Sequence, residues 1–347
     1  VSLRTGYWIP PTRFSGPILT SHESDSIRFH EISENIYRGD GVWGVSELGT
    51  EYPPVYRHTA WRMIGYLNAL QVADNPVYRE RIASGAEYLL SEQQDNGSYL
   101  WWCYETHGHP DFDHLLYCTA NPGVALLELY KLTGDERFLM GSTRAADWAC
   151  QHGIARNNNY NSFAVWHLCE HFKVTEDEKC LDAAIYRNRE GGFPNQLSNG
   201  AWEGHNAWIF YHSIIVRGFA ALYGVLPDGH PAKDDLRSPT LKALNHLIEE
   251  QQDSGHFRMC FDPEEWQKSR EPDSHYRIYN SNDFDPSTLH ALVCIQDFTD
   301  LDMSNALYGA ICSPMPEDLT EQGMNHLAYG VAYRWLAEQS DSSSTSG

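Results

Sequence analysis

The sequence predicts an all-α fold, a closed ring of about six helical hairpins in one domain, and two observations carry that expectation. The first is a recurring unit. "LLSEQQDNGSYLWW" (89–102) matches "LIEEQQDSGHFRMC" (247–260), with weaker echoes in "WACQHGIARNNNY" and "FPNQLSNGAW". The glycines of these four units, Gly97, Gly153, Gly200 and Gly255, stand 56, 47 and 55 residues apart. That spacing fits two helices and two connections per repeat. The second is apolar periodicity: Ala125, Leu126, Leu129 and Leu132 fall on one helical face, and Phe219, Leu222, Tyr223 and Leu226 on another.

Taken in order, the helices are expected near 55–73, 77–94, 121–133, 136–152, 161–173, 176–187, 207–225, 236–253, 287–298, 302–312 and 321–338. Gly134 after "ELYKLT" and Pro227 after "LYGVL" are helix stops. Residues 1–54, rich in Pro, Gly and aromatics, read as an irregular N-terminal strap packed on the ring. Residues 55–338 read as the ring itself, and the polar tail 339–347 as disordered. No Pro/Ser-rich linker divides the chain. Inner helices covered by outer ones are expected to be apolar all round, leaving rim loops to build a cleft.

The chain has 347 residues, 41% of them hydrophobic, and includes 11 Trp, 20 Tyr and 13 Phe, enough for a sizeable core. A formal charge of −22 argues against nucleic-acid partners, which need a basic surface. It also means that a polyanionic substrate requires a locally positive cleft. No apolar run reaches the length that spans a bilayer, so no membrane partner is expected. The eight cysteines form no CxxC pair, and buried free thiols are the default, although up to four disulfides are arithmetically open. The expected compartment is periplasmic or extracellular, with the cytoplasm left open.

The segment Gly191–Pro227 concentrates chemistry. Its loop carries Trp202, Glu203, His205 and Asn206, and the helix that follows carries Tyr211, His212 and Arg217. Aromatic faces that stack on sugar rings, beside polar groups that fix hydroxyls and move protons, suit a glycan cleft. Trp101 and Trp102 are further stacking candidates. The loop "ETHGHPDFDH" (105–114) supplies His109 for substrate contact. Its His/Asp spacing matches no zinc or calcium loop, and neither metal nor cofactor is expected.

At the level of the hairpin, "NPGVALLELYKLTGDERFLMGSTRAADWA" resembles the repeating unit of (α/α)6 toroid carbohydrate-active enzymes. That resemblance covers roughly residues 55–338. A narrower resemblance, to polysaccharide lyases of the alginate and glucuronan type, rests on "RNNNYNSFAVW" (156–166) and "GHNAWIFYHSIIVRG" (204–218). It implies Asn158, Asn159 and Asn161 as the asparagine motif, and His205, Tyr211, His212 and Arg217 as the histidine, tyrosine and arginine positions. The pattern departs where Asn159 stands in place of the His that usually follows the paired asparagine. The Arg-Gly-Asn-Gly-Trp run of unsaturated-glucuronyl hydrolases is absent from the sequence.

β-Elimination of a uronate polymer needs the C5 carboxylate neutralised, a base for the α-proton and an acid for the departing oxygen. Asn159, Asn161 and His205 fit the first role, and Tyr211, with His212, the proton transfers. Asn158, Trp202, Glu203, Asn206 and Arg217 complete the expected substrate contacts. Arg217 lies about 240° around an ideal helix from Tyr211, so the two do not share a face. A hydrolase would instead need two carboxyls, with Glu203 and either Asp111 or Asp113 as candidates. A non-catalytic toroid that binds a glycan or protein is the third reading.

Overall fold

The computed structural model describes residues 22–44, 56–72, 75–100, 112–251 and 257–268. Four αα-hairpins follow one another: α2 (Tyr56–Val72) with α3 (Pro76–Glu92), α4 (Phe112–Thr133) with α5 (Glu136–Gln151), α6 (Asn158–Thr175) with α7 (Glu178–Arg187), and α8 (Ile209–Val225) with α9 (Pro231–Glu249). The first members, α2, α4, α6 and α8, pack side by side as an inner layer, and the second members clad them from outside. This is the architecture of an (α/α) toroid. The expected helices beyond residue 268 and the tail 339–347 lie outside the described residues.

The inner helices are buried on nearly every face through their middle turns, and each leaves side chains half-buried near its start. From Leu116 to Leu129 every residue of α4 is buried but Tyr117; from Asn158 to His171 every residue of α6 is buried but Tyr160; from Ile209 to Leu222 every residue of α8 is buried but Tyr211. The outer helices bury one stripe. In α3 it is Tyr78, Ile82, Gly85, Ala86 and Leu89, at the 3.6-residue period of a surface helix.

The recurring Gln…Gly unit is a clip between hairpins. Gln93 Nε2 donates to the carbonyls of Gly97 and of Gly141 on α5, each at 2.9 Å. Gln196 repeats this with Gly200 (3.1 Å) and with Pro239 on α9 (2.9 Å). Both glycines take left-handed backbone angles, φ 89° at Gly97 and 93° at Gly200. A Cβ at either would collide with the carbonyl of Arg144 or Lys242 in the next outer helix. Gly153 does not share this geometry: its φ is not left-handed and open space surrounds it. The Gly153 unit is therefore a sequence echo without the clip, and Gly255 lies outside the described residues.

Three boundaries differ from expectation. Helix α4 begins at Phe112, about nine residues before the expected start near 121, and runs through Pro122. Asn121, just before the proline, ties α4 to α2: its Nδ2 donates to the Tyr117 carbonyl (2.8 Å) while its Oδ1 accepts from Trp61 Nε1 (2.9 Å). Helix α9 begins at Pro231, which occupies the first turn behind the His230 cap. Residues 22–44, expected to be irregular, form a helix α1 (His22–Asn35) and a two-stranded antiparallel hairpin, β1 (Tyr37–Gly39) with β2 (Val42–Trp43). Phe29 of α1 lies 5.1 Å from the Tyr66 ring, and Arg62 donates to Ser33 at 3.1 Å, so this segment is packed onto α2.

The core holds two fully buried histidines, His167 on α6 and His212 on α8. His167 Nε2 meets the Ser142 hydroxyl at 3.0 Å and His212 Nε2 donates to the Ala243 carbonyl at 2.9 Å. Burial holds both far below the usual imidazole range, at about 3, so they fold neutral.

Two predictions follow from these packing facts. Gly97→Ala and Gly200→Ala are each expected to destabilise the fold by roughly 2–4 kcal/mol in urea titration, through strain plus collision. Gly229→Ala, with a similar φ of 80° but open space, is expected to cost about 1 kcal/mol; equal costs at all three would refute the clip. Because the unfolded chain protonates both histidines near pH 6.5 and the folded chain does not, stability is full above that pH. Below it, stability falls by about 1.4 kcal/mol per pH unit for each histidine, until about pH 3. Replacing either residue with a folded neutral variant should reduce the acid slope of the melting temperature.

Candidate active site

The four openings of the inner layer form one connected floor. Arg57, second residue of α2, places its guanidinium carbon 5.1 Å from the ring centre of Tyr117. Tyr117 stacks on Tyr160 at 4.6 Å, and His114 lies 5.1 Å from Tyr160 and 5.8 Å from Tyr117. Tyr160 meets His205 edge-on at 6.4 Å, and His205 stacks on Tyr211 at 3.8 Å with the planes 24° apart. All six side chains are half-buried, each with one part packed and one part open. Phenols, imidazoles and a guanidinium thus share a surface on which a ring can stack and protons can move.

Helix starts aim these groups. His114, Tyr160 and Tyr211 are each the third residue of an inner helix. The entry to α8 is set by bridge pairing of Trp208 with Cys260, by the Ile209 amide donating to the Met259 carbonyl (2.9 Å) and by the Phe261 amide donating to the Ala207 carbonyl (2.9 Å). A 3-10 turn, Gly204–Ala207, then lays His205 over Tyr211.

The entry to α6 is set by amides and one arginine. Asn157 caps the helix. Asn161 Oδ1 accepts from the Ala155 amide (3.0 Å) and from Arg187 Nη1 (3.2 Å), and its Nδ2 donates to the carbonyls of Ala155 (2.8 Å) and Asn157 (3.1 Å). Arg187 also donates to the carbonyls of Ala149, His152 and Gly153 at 2.7–3.0 Å, satisfying the C-terminal end of α5. Burial lowers its pKa to about 10. Asn158 Nδ2 lies 2.8–3.2 Å from the carbonyls of Gly191, Gly192 and Pro194, and its Oδ1 accepts from Asn206 (3.2 Å).

Several expected site residues therefore lie beneath the floor. Asn158, Asn161 and Asn206 are buried scaffold, Asn158 and Asn161 engaged by backbone and Asn206 Nδ2 by Asn158. Asn159 is fully buried, and its amide makes no hydrogen bond among the described residues. His212 is enclosed by Trp202 (5.4 Å), His246 (5.7 Å) and Phe261 (5.2 Å) and so cannot transfer protons at the rim. Trp202 donates to the Pro194 carbonyl (3.3 Å) and packs edge-on to Phe219, a core position rather than a stacking platform. Arg217 lies over Trp166 at 3.8 Å, sandwiched between α6 and α8. Glu203 is exposed on the loop before the 3-10 turn. Trp101, Trp102 and His109 lie outside the described residues.

Of the expected set, His205 and Tyr211 stand on the floor. Arg57, Tyr117 and Tyr160 are not among the site residues the sequence points to, and His114 enters there only as part of the 105–114 loop. The available signal was a polar or aromatic residue in the first two turns of each otherwise apolar helix. With α4 expected only from about 121, His114 and Tyr117 fall outside a helix in the sequence pattern, and Tyr160 stands within the asparagine run that carries the resemblance. Among the described residues no group of three His, Cys, Asp or Glu side chains is placed to hold a metal ion, and no helix is long and apolar enough to cross a membrane.

If Asn161 is scaffold, Asn161→Ala should lower stability by roughly 2–4 kcal/mol, and Arg187→Met on top of it should add less than its cost alone. Calorimetric melting of the single and double variants reads this. An unchanged melting temperature for Asn161→Ala would return the residue to the chemistry.

No family model matches the chain, and no curated protein does. Solved structures do share its fold. An α-1,6-mannanase from Salegentibacter sp. HEL1_6 aligns with TM-score 0.64 at 11% identity over 91% of this chain and 100% of its own. A possible member of the GH105 family from Klebsiella pneumoniae aligns with TM-score 0.61 at 13% identity over 97% and 98%. A polysaccharide lyase aligns with TM-score 0.58 at 10% identity over 92% and 98%. The chain thus has the (α/α) toroid fold that these glycosidases and this lyase share.

Proposed function

We propose that the chain is a polysaccharide lyase that cleaves a uronate-containing glycan by β-elimination, with Tyr211 as its proton-transfer group and His205 neutralising the substrate carboxylate. The observation that carries this reading is the make-up of the floor. Its described groups are phenols, imidazoles and one guanidinium, the groups elimination uses, while the described carboxylates near it are otherwise placed. Asp113 is held by Arg156 at 3.0 Å and Glu203 is exposed. Hydrolysis needs two carboxyls facing each other across the scissile bond.

The neighbours supply a comparison for the hydrolase alternative. An inactive variant of the Salegentibacter α-1,6-mannanase lacks two consecutive aspartates. In this chain the single Asp-Asp pair, Asp234–Asp235, is exposed in the first turns of the outer helix α9. In the elimination Tyr211, as the phenolate, takes the C5 proton while the C4–O4 bond breaks and the C4=C5 double bond forms, and the phenol so formed returns that proton to the departing O4; His205, stacked on its ring, supports charge at the substrate carboxylate. The uronate substrate and a periplasmic or extracellular site of action belong to the same proposal.

Incubation with polyuronates, read by the ultraviolet absorbance of the C4=C5 unsaturated product, tests it. Tyr211→Phe is expected to lower turnover by roughly 10²-fold or more while binding persists, and His205→Ala to cost turnover heavily. Glu203→Gln is expected to be mild. Saturated products together with an essential Glu203 would establish the hydrolase instead.

A further inference from the structure

Among the arginines of the described residues, Arg57 combines aromatic company with partial exposure, whereas Arg217, which also lies over two rings, is buried. Arg81 is paired with Glu34 at 2.7 Å, Arg156 with Asp113, and Arg187 is held in a cage of carbonyls. Arg57 meets two aromatic faces, Tyr117 at 5.1 Å and Trp61 at 5.7 Å, and donates one long hydrogen bond, 3.8 Å, to the Cys118 sulfur. Among the described residues no carboxylate pairs with it. A guanidinium carries five donors and stays charged in a protein, and Arg57 is half-buried, so part of its donor edge is open to a ligand.

Its place matters as much as its charge. The rings of Tyr117 and Tyr160 lie between Arg57 and the His205–Tyr211 pair. A carboxylate bound at Arg57 is therefore not on the sugar whose bond is broken at Tyr211. On a chain whose net charge is −22, this cation also supplies the local attraction that a polyanion needs.

We propose that Arg57 is a specificity-determining residue that binds the carboxylate of a uronate next to the one cleaved, so that the substrate carries consecutive acidic sugars. The guanidinium takes the carboxylate in a charge-assisted pair, and the Tyr117 and Tyr160 rings bear the sugar between. This rests on the elimination reading for the identity of the polymer, but it is tested separately.

The experiment measures binding in the Tyr211→Phe background, so that no ligand is consumed, using oligomers of glucuronic, mannuronic and galacturonic acid and their methyl esters. Arg57→Gln is expected to weaken binding of the preferred acid by roughly ten-fold or more and to change the ester by less than about two-fold; Arg57→Lys should retain part of the affinity. An oligosaccharide with its single carboxylate on the cleaved residue should bind both forms alike. Equal loss on acid and ester, or no loss on either, overturns the proposal, as does loss on that single-carboxylate ligand. Should the Arg57 variants fail to fold, the parent decides: an ester bound roughly ten-fold more weakly than the acid supports the proposal, and equal affinity overturns it. Binding of acids through Arg57 without an unsaturated product would sink the elimination reading and leave this one standing. Product formation indifferent to Arg57 would do the reverse, and a chain that binds no uronate would overturn both.

Discussion

The hydrogen-bond cage around Arg187 is the constraint on which the floor depends. One buried guanidinium joins the carbonyl end of α5 to the Asn161 side chain, and Asn161 in turn ties the 155–157 loop to the first turn of α6. In the two neighbouring units a glutamine and a left-handed glycine do this work. Here the glycine is conformationally ordinary, and arginine replaces the clip. A neutral amide reaches two carbonyls, whereas Arg187 reaches three and an amide oxygen besides, at the cost of desolvating its charge. That cost is accepted where α6 must enter at a defined height, because Tyr160 rides on its third residue between the phenol of α4 and the imidazole before α8.

The same logic explains why the asparagines of this segment belong beneath the site. An inner helix buried on all sides leaves its first amides and the preceding loop carbonyls without water, so each needs an internal partner. Asn157, Asn158 and Asn161 supply partners for one helix start. Side chains of the floor are then few, one or two near the start of each described inner helix, because these helices enter from the same rim. The chemistry is concentrated by topology rather than by local sequence.

This is why the fold was more legible in the sequence than the site. Apolar faces such as Ala125–Leu132 and turn glycines such as Gly97 report directly on hairpins, and the repeat spacing reports on their succession. The site is assembled from residues about 50 apart, so a motif confined to one segment finds only the part that segment contributes. His205 and Tyr211 lie six residues apart and were found together; Arg57, Tyr117 and Tyr160 come from three other helices. Within the dense segment, Trp202, His212 and Arg217 have the composition of a sugar site and the position of a core. Hydrophobic period separates the two: Tyr211 stands at the helix mouth, and His212, one residue on, turns about 100° into the layer between α8 and α9.

The central claim is that the open ends of the inner helices, and not the tryptophan-rich loop beside them, hold the glycan. The most direct measurement is a crystal structure of the Tyr211→Phe chain with a bound uronate oligosaccharide. The account predicts sugar rings across Tyr117 and Tyr160, the scissile linkage at position 211 and His205, and a neighbouring carboxylate on Arg57. Sugar lodged away from these rings, with Tyr160 and Arg57 untouched, would contradict it.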